Sequence, residues 1–268
     1  MPRANRHYIP GHAWHLTHRC HKREYLLKFS RDRQGWIHWL FEAKKRYGLT
    51  ILNYTATSNH IHLLVYDQNG GDTIPKSIQL VAGRTAQEYN QRKNRNGAFW
   101  EDRYHATAIQ TDSHLVQCLV YIDLNMVRAG VVKHPCDWPH GGYREIQENP
   151  KRYRLIDREV LMHLLGIRDG DQLTLSHQRW VEKALQTTEN VREERWTESV
   201  AVGNLSFIED IKEKLGERGV GRKVVESRKS CELRECRFPY NGDSDPENAV
   251  LRLENEIFWD DSQLISTR

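Results

Sequence analysis

The sequence predicts an α+β fold: a ferredoxin-like (RRM-like) antiparallel sheet with β-α-β-β-α-β-α order, plus a mainly helical C-terminal extension. Three observations predict it. Short alternating strands and amphipathic helices take turns over residues 13–128. Two of the strands are separated only by Ser58-Asn59, and strands that close pair only as an antiparallel hairpin. One helix precedes that hairpin and another follows it, which is the order of a split βαβ sheet.

Residues 13–20 (AWHLTHRC) read as the first strand, entered from the turn residues Pro10 and Gly11. Residues 30–47 read as a helix, with Trp36, Trp39, Leu40 and Ala43 at helical spacing. Ser30 is placed to cap it and Gly48 to end it. Residues 49–57 (LTILNYTAT) and 60–66 (HIHLLVY) are the hairpin strands. Residues 74–92 read as a second helix. Pro75 sits in its first turn, where a missing N–H is tolerated. The polar loop KNRNG (93–97) follows, and residues 104–111 (YHATAIQT) alternate as a strand. Residues 113–128 form a strongly patterned helix, capped by Asp112 or Ser113 and closed by Gly130.

Residues 157–166, 174–186 and 204–216 look helical, the last with an Asn204 cap. From about residue 225, Pro, Gly and Asp cluster in a mixed-charge stretch. The expected organisation is a first domain over 1–150, a helical extension over 151–224 and a loosely ordered tail over 225–268.

Composition narrows the function. No apolar run approaches the ~20 residues of a membrane span, and the N-terminus has no apolar h-region. The expectation is a cytoplasmic protein with no membrane partner. Five cysteines without a Cys-x-x-Cys pair argue against a disulfide framework or a zinc ribbon. Cys231 and Cys236 read as free thiols. The net charge of +4 hides an asymmetry: residues 1–154 carry 23 basic and 13 acidic side chains, residues 155–268 carry 17 and 23. Twelve of the 14 histidines also fall in the first part. A basic, His-rich first part points to a polyanion partner, although a lopsided solvated face is the plainer alternative.

His60 and His62 flank Ile61 on a strand, so both imidazoles face one side. Two neutral imidazoles a strand-step apart can grip a divalent cation. A bare His-x-His is more often a pair of histidines on a wet sheet face. A metallo-β-lactamase pattern needs a following Asp-His, and Leu63-Leu64 stand there instead. An amidohydrolase barrel needs many later βα units, which the second half does not supply. On helix 113–128, Gln117, Tyr121, Asn125 and Arg128 line one stripe opposite the apolar face. Tyr121 and Asn125 lie one turn apart and can reach the same site. Taken alone, Tyr121 is an ordinary boundary aromatic.

Together these features fit one chemistry. A metal held by His60 and His62, with Asn125 as an uncharged third ligand, polarises a phosphodiester that Tyr121 attacks. The segment SNHIHLLV (58–65) resembles the HUH motif of single-tyrosine transposases, and YIDLNMVRAGVV (121–132) resembles that family's tyrosine helix. Met126 stands where the family usually has proline. PGHAWHLTHRC (10–20), FSRDRQGWIHWL (29–40) and GAFWEDRY (97–104) extend the resemblance over roughly residues 5–150. The Tyr-x-x-x-Asn spacing is similar to that of the REP-associated tyrosine transposases, where the insertion-sequence branch has Gln.

The resemblance implies a bacterial single-stranded DNA endonuclease and ligase that uses Mg²⁺ or Mn²⁺. Tyr121 is the implied nucleophile, forming a 5′-phosphotyrosine. His60, His62 and Asn125 are the implied metal ligands. The implied substrate is a single-stranded or hairpin DNA from repetitive extragenic palindromes. Members of that branch act as monomers, and dimers that exchange tyrosine helices occur in the insertion-sequence branch.

Candidate DNA contacts are Arg3, Arg6, Arg19, Lys22 and Arg23 beside the first strand, and Lys93, Arg95 and Arg103 around the loop before the last. Trp14 and Trp100 could stack on bases, but core packing is the commoner fate of tryptophan. The Lys44–Arg46 cluster is explained by a helix C-terminus. The acidic second part is a candidate brake on the basic one, and truncation near residue 155 would then raise DNA affinity. A non-catalytic DNA-binding protein and a small-molecule hydrolase are the competing readings.

Overall fold

A computed structural model describes residues 9–68, 70–148, 152–186, 193–219, 221–227 and 230–235. Strand β1 (His12–Arg19) leads into helix α1 (Ser30–Tyr47). The hairpin β2 (Thr50–Ala56) and β3 (His60–Asp67) follows, then α2 (Thr73–Lys93) and β4 (His105–Ile109). Helix α3 (Ser113–Asp123) completes the predicted order. The first four strands lie as β2-β3-β1-β4, all antiparallel. The architecture is therefore the expected α+β one.

Local chemistry explains most of the element ends. Gly48 takes the left-handed conformation (φ 68°) that stops α1, and its N–H reaches the Lys44 carbonyl. Asp112 caps α3 by accepting from the His114 N–H at 2.8 Å. Ser30 is not the cap of α1: Phe29 holds that position with extended backbone and no side-chain bond.

The predicted single helix 113–128 is divided. Leu124 leaves helical geometry (ψ 3°), and a short helix α4 (Asn125–Arg128) restarts after it. Just before the break, the Asp123 carboxylate is drawn inward by Asn53 Nδ2 at 3.0 Å and His177 Nε2 at 2.7 Å. Met126 occupies an early position of α4, where a proline would also fit.

The described residues from 152 to 235 fall in one compact unit with those up to 148. Helices α5 (Tyr143–Glu148), α6 (Arg158–Leu165) and α7 (Gly170–Gln186) pack on one another and on α3 and β2, while α8 (Arg195–Glu198) and α9 (Leu205–Lys214) pack beside three further strands. These are β5 (Ser199–Gly203), β6 (Arg222–Ser227) and β7 (Ser230–Glu235), which extend the sheet to β2-β3-β1-β4-β5-β7-β6. The β4–β5 join is parallel, through Ala108↔Ala201 and Ile109↔Val202. Leu155, Leu161, Trp196, Ala201 and Leu233 belong to the same core cluster as Leu16, Leu63 and Ile122. One core thus crosses the boundary expected near 150. The β6–β7 hairpin occupies the start of the stretch expected to be a loose tail, and Cys236 and the rest of that tail lie outside the described residues.

The two faces of the first four strands differ. Trp36 of α1 packs beside Tyr54 (ring centroids 6.4 Å apart), whose register partner is Leu63. Ile61, Leu63 and Val65 are buried on that face. The opposite face carries His15 and Thr17 of β1 with His62 of β3, since Thr17 is the partner of His62. Helix α3 covers it, with Asn53 of β2 donating to the Leu119 carbonyl.

Candidate metal and tyrosine site

The histidine face is not wet. His62 is 2% exposed and His15 is fully buried. Apolar neighbours alone cannot explain burying polar rings, so each needs hydrogen-bond partners. His60 Nδ1 lies 2.8 Å from Asn59 Oδ1 and 2.9 Å from Thr57 Oγ1. The Thr57 hydroxyl donates to the His60 carbonyl at 2.8 Å, so its oxygen accepts from the ring. His60 therefore carries its proton on Nδ1, and Nε2 holds the lone pair of the neutral ring.

His62 is held from both sides. Its Nδ1 faces His15 Nε2 at 2.9 Å, and its Nε2 faces the Asn125 amide nitrogen at 2.9 Å. An amide N–H only donates, so Nε2 of His62 accepts. The two rings are 5.0 Å apart at their centroids, and Nε2 is the acceptor nitrogen in both. Among the described residues no group of three or more His, Cys, Asp or Glu is gathered for a metal. The donor set is two imidazoles and the Asn125 amide, which suits a divalent first-row ion with open positions for oxygen ligands.

Tyr121 joins this cluster from α3. Its ring centroid lies 5.8 Å from that of His62 and 6.2 Å from that of His15, edge-on to both. Trp196 sits 6.0 Å away on another side, and Tyr121 is only 5% exposed. The Arg128 guanidinium stands 4.1 Å over the tyrosine ring. It donates to the Tyr121 carbonyl. Burial lowers the Arg128 pKa from its ordinary value, while attraction to Tyr121 acts against that.

His15 has its pKa lowered to about 3, chiefly by desolvation, with His105 and Arg128 adding smaller repulsions and a bond to the Trp196 carbonyl opposing the shift. It is a neutral imidazole at any physiological pH. The cavity of about 380 Å³ between α1 and α2, lined by Asp32, Thr85 and Tyr89 among others, lies on the other face of the sheet and shares no residue with this cluster.

The candidate DNA contacts divide into three groups. Arg3 and Arg6 lie outside the described residues. Lys22 and Arg23 are exposed at a tight turn with left-handed backbone (φ 50° and 59°), and Lys93 is exposed at the end of α2. Arg95 ties its loop to Glu24 at 3.5 Å and to the Ala98 carbonyl at 3.0 Å, so it is partly committed to structure. Arg19 is half-buried at the end of β1, and Arg103 is exposed before β4. The loop after β1 adjoins the start of β3, because Leu27 N–H donates to the Ser58 carbonyl and Asn59 donates to the Arg23 carbonyl. Lys22 and Arg23 thus stand near His60.

Trp14 and Trp100 are not presented to a ligand. Trp14 is 4% exposed, and Trp100 stacks on His18 at 4.1 Å while its N–H donates to the Ala82 carbonyl. The exposed aromatics of the basic loop are instead Tyr25 and Phe29. Sequence reasoning missed them because they sit in a charged run, HKREYLLKFS, with no periodic signal. It also missed His15, whose position on β1 shares the face of Thr17 and is in principle readable from period two. Trp196 contributes a backbone carbonyl, which leaves no mark in a sequence.

Residues 9–125 match the family model described as "Transposase IS200 like". The chain is similar to a solved REP-associated tyrosine transposase bound to a REP hairpin, with 20% identity, TM-score 0.46, and coverage of 58% of this chain and 90% of that one. It is similar to a crystal structure of a Deinococcus radiodurans R1 protein assigned as a transposase, with 17% identity, TM-score 0.31, and coverage of 39% and 83%. No curated protein matches the chain.

Proposed function

We propose, from the match of residues 9–125 to the IS200-like transposase family model, that this protein acts on DNA as a single-stranded DNA endonuclease and ligase with Tyr121 as nucleophile. The observation that carries the reading is the meeting of His60, His62, Asn125 and Tyr121 within one chain. That the tyrosine and the histidines come from the same chain supports action as a monomer.

His60, His62 and Asn125 would hold Mg²⁺ or Mn²⁺, which supplies Lewis-acid polarisation of the scissile phosphate. Tyr121 Oη attacks phosphorus; a Tyr–O–P bond forms and the P–O3′ bond breaks, leaving a 5′-phosphotyrosine and a free 3′-OH. Tyrosine, with an ordinary pKa near ~10, is a poor nucleophile at neutral pH. Arg128 stands where it stabilises the phenolate charge as the proton leaves. Re-ligation is the reverse attack by a 3′-OH. The Tyr-x-x-x-Asn spacing supports a hairpin from repetitive palindromes as the substrate, and the basic loops around Lys22, Arg23 and Lys93 suit its phosphates.

The test is a denaturing gel with labelled hairpin oligonucleotides and Mn²⁺ or Mg²⁺. Wild type should give a slow-migrating covalent band, and Tyr121→Phe and His60→Ala should give none. Tight hairpin binding without a band in wild type would instead make the protein a non-catalytic DNA binder.

A further inference from the structure

The acceptor state of His62 is set from outside the two-histidine strand. His15 Nδ1 lies 2.8 Å from the Trp196 carbonyl. A carbonyl only accepts, so the proton of neutral His15 is on Nδ1 and its Nε2 is an acceptor. That nitrogen faces His62 Nδ1 at 2.9 Å, so His62 Nδ1 must donate. The two ring planes differ by 12°, with centroids 5.1 Å apart, as expected for imidazoles bonded edge to edge. One proton direction satisfies the whole chain: His15 donates to Trp196, His62 donates to His15, and Asn125 donates to His62 Nε2. The reverse direction would need a second proton on a fully buried ring.

We infer that the Trp196 carbonyl and His15 form a relay that locks His62 in its Nδ1–H tautomer, so that the C-terminal extension sets the nitrogen with which His62 binds metal. The inference rests on the reading of His62 as a metal ligand. It makes His15 a positioning residue, and it gives residues 193–203 a role in the site that their acidic character did not indicate. Metal-bound histidines commonly depend on such an outer partner for ring orientation and basicity. The required chemistry is a donor toward Trp196 and an acceptor toward His62. Glutamine at position 15 supplies both; leucine supplies neither.

The first measurement is the ¹⁵N-edited imidazole spectrum of the metal-free wild-type protein above the histidine titration range. His62 is expected as the Nδ1–H tautomer, and finding Nε2–H overturns the inference without any variant having to fold. The second is Mn²⁺ affinity by calorimetry. His15→Leu should weaken it roughly 10- to 100-fold, and His15→Gln should keep it within a few-fold. Unchanged affinity in a folded His15→Leu protein overturns the relay while leaving His62 a ligand, provided His62→Ala loses Mn²⁺. If His62→Ala binds Mn²⁺ as wild type does, the metal reading itself fails and the inference falls with it.

Discussion

Phe29 is 56% exposed and Tyr25 67% exposed, on a loop whose other exposed side chains are mostly cationic. The Lys28 and Lys93 ammonium groups lie 5.9 Å and 5.4 Å from the Phe29 ring centroid. An aromatic face flanked by cations is what an unpaired base stacks on. Phe29→Ala should therefore weaken single-strand binding by ~1–3 kcal/mol, or roughly 5- to 150-fold in Kd, with little loss of thermal stability. Fluorescence anisotropy with a single-stranded oligonucleotide reads this directly; an unchanged Kd would remove Phe29 from the DNA path. The contrast with Trp14 and Trp100 shows what was legible at this scale. Residue type left tryptophan open to stacking with core packing favoured, and burial decides, which depends on neighbours far away in sequence. That His60, His62, Tyr121 and Asn125 come together was legible because their spacing follows the strand and helix periods.

The break between α3 and α4 places Tyr121 and Asn125 on either side of Asp123. That carboxylate is fully buried and held by Asn53 of β2 and His177 of α7, with Gln147 Nε2 2.7 Å from the other His177 nitrogen. Removing one partner of such a pair leaves a buried charge uncompensated, at a cost of ~3–5 kcal/mol. His177→Leu should lower Tm by many degrees and reduce adduct formation, because the tyrosine helix loses its anchor; a Tm within two degrees of wild type, on the order of ±0.5 kcal/mol, would show that the network is not structural. Gly142 is another fixed point, since a Cβ there would meet Asn53 Oδ1 and Ile156 Cδ1. Existence and order of the first seven elements were legible, as hydrophobic period and turn residues agree over residues 13–123. The helix break was not, because its cause is a contact from Asp123 to residues 70 positions before and 54 after it.

Across the whole molecule, the extension is structural before it is anything else. Trp196 is fully buried, and β5 pairs with β4. Truncation near residue 155 should thus yield an unstable protein rather than one released from an acidic brake; a soluble, cooperatively melting fragment with raised DNA affinity would restore the brake. Charge sign was legible in the sequence, but a parallel pairing between strands some ninety residues apart has no local signature. Acid sensitivity is also a property of the assembled fold. His140 is buried, and desolvation with repulsion from Arg33 lowers its pKa to about 4. The unfolded chain takes up that proton near ~6.5, so its contribution to stability is complete above that pH and is lost as pH falls toward 4. Tm should drop between pH 7 and 5, and His140→Gln should flatten the slope. The β4–β5 join has one further consequence, for the order of events on the ribosome. Tyr121 and both histidines emerge well before Trp196 and Val202, and pairings of such high sequence separation form late. On the proposed reading, a nascent chain stalled before residue 196 carries His60, His62, Tyr121 and Asn125 yet lacks the Trp196 carbonyl and strand β5, so DNA cleavage waits until residues 196–203 have been made.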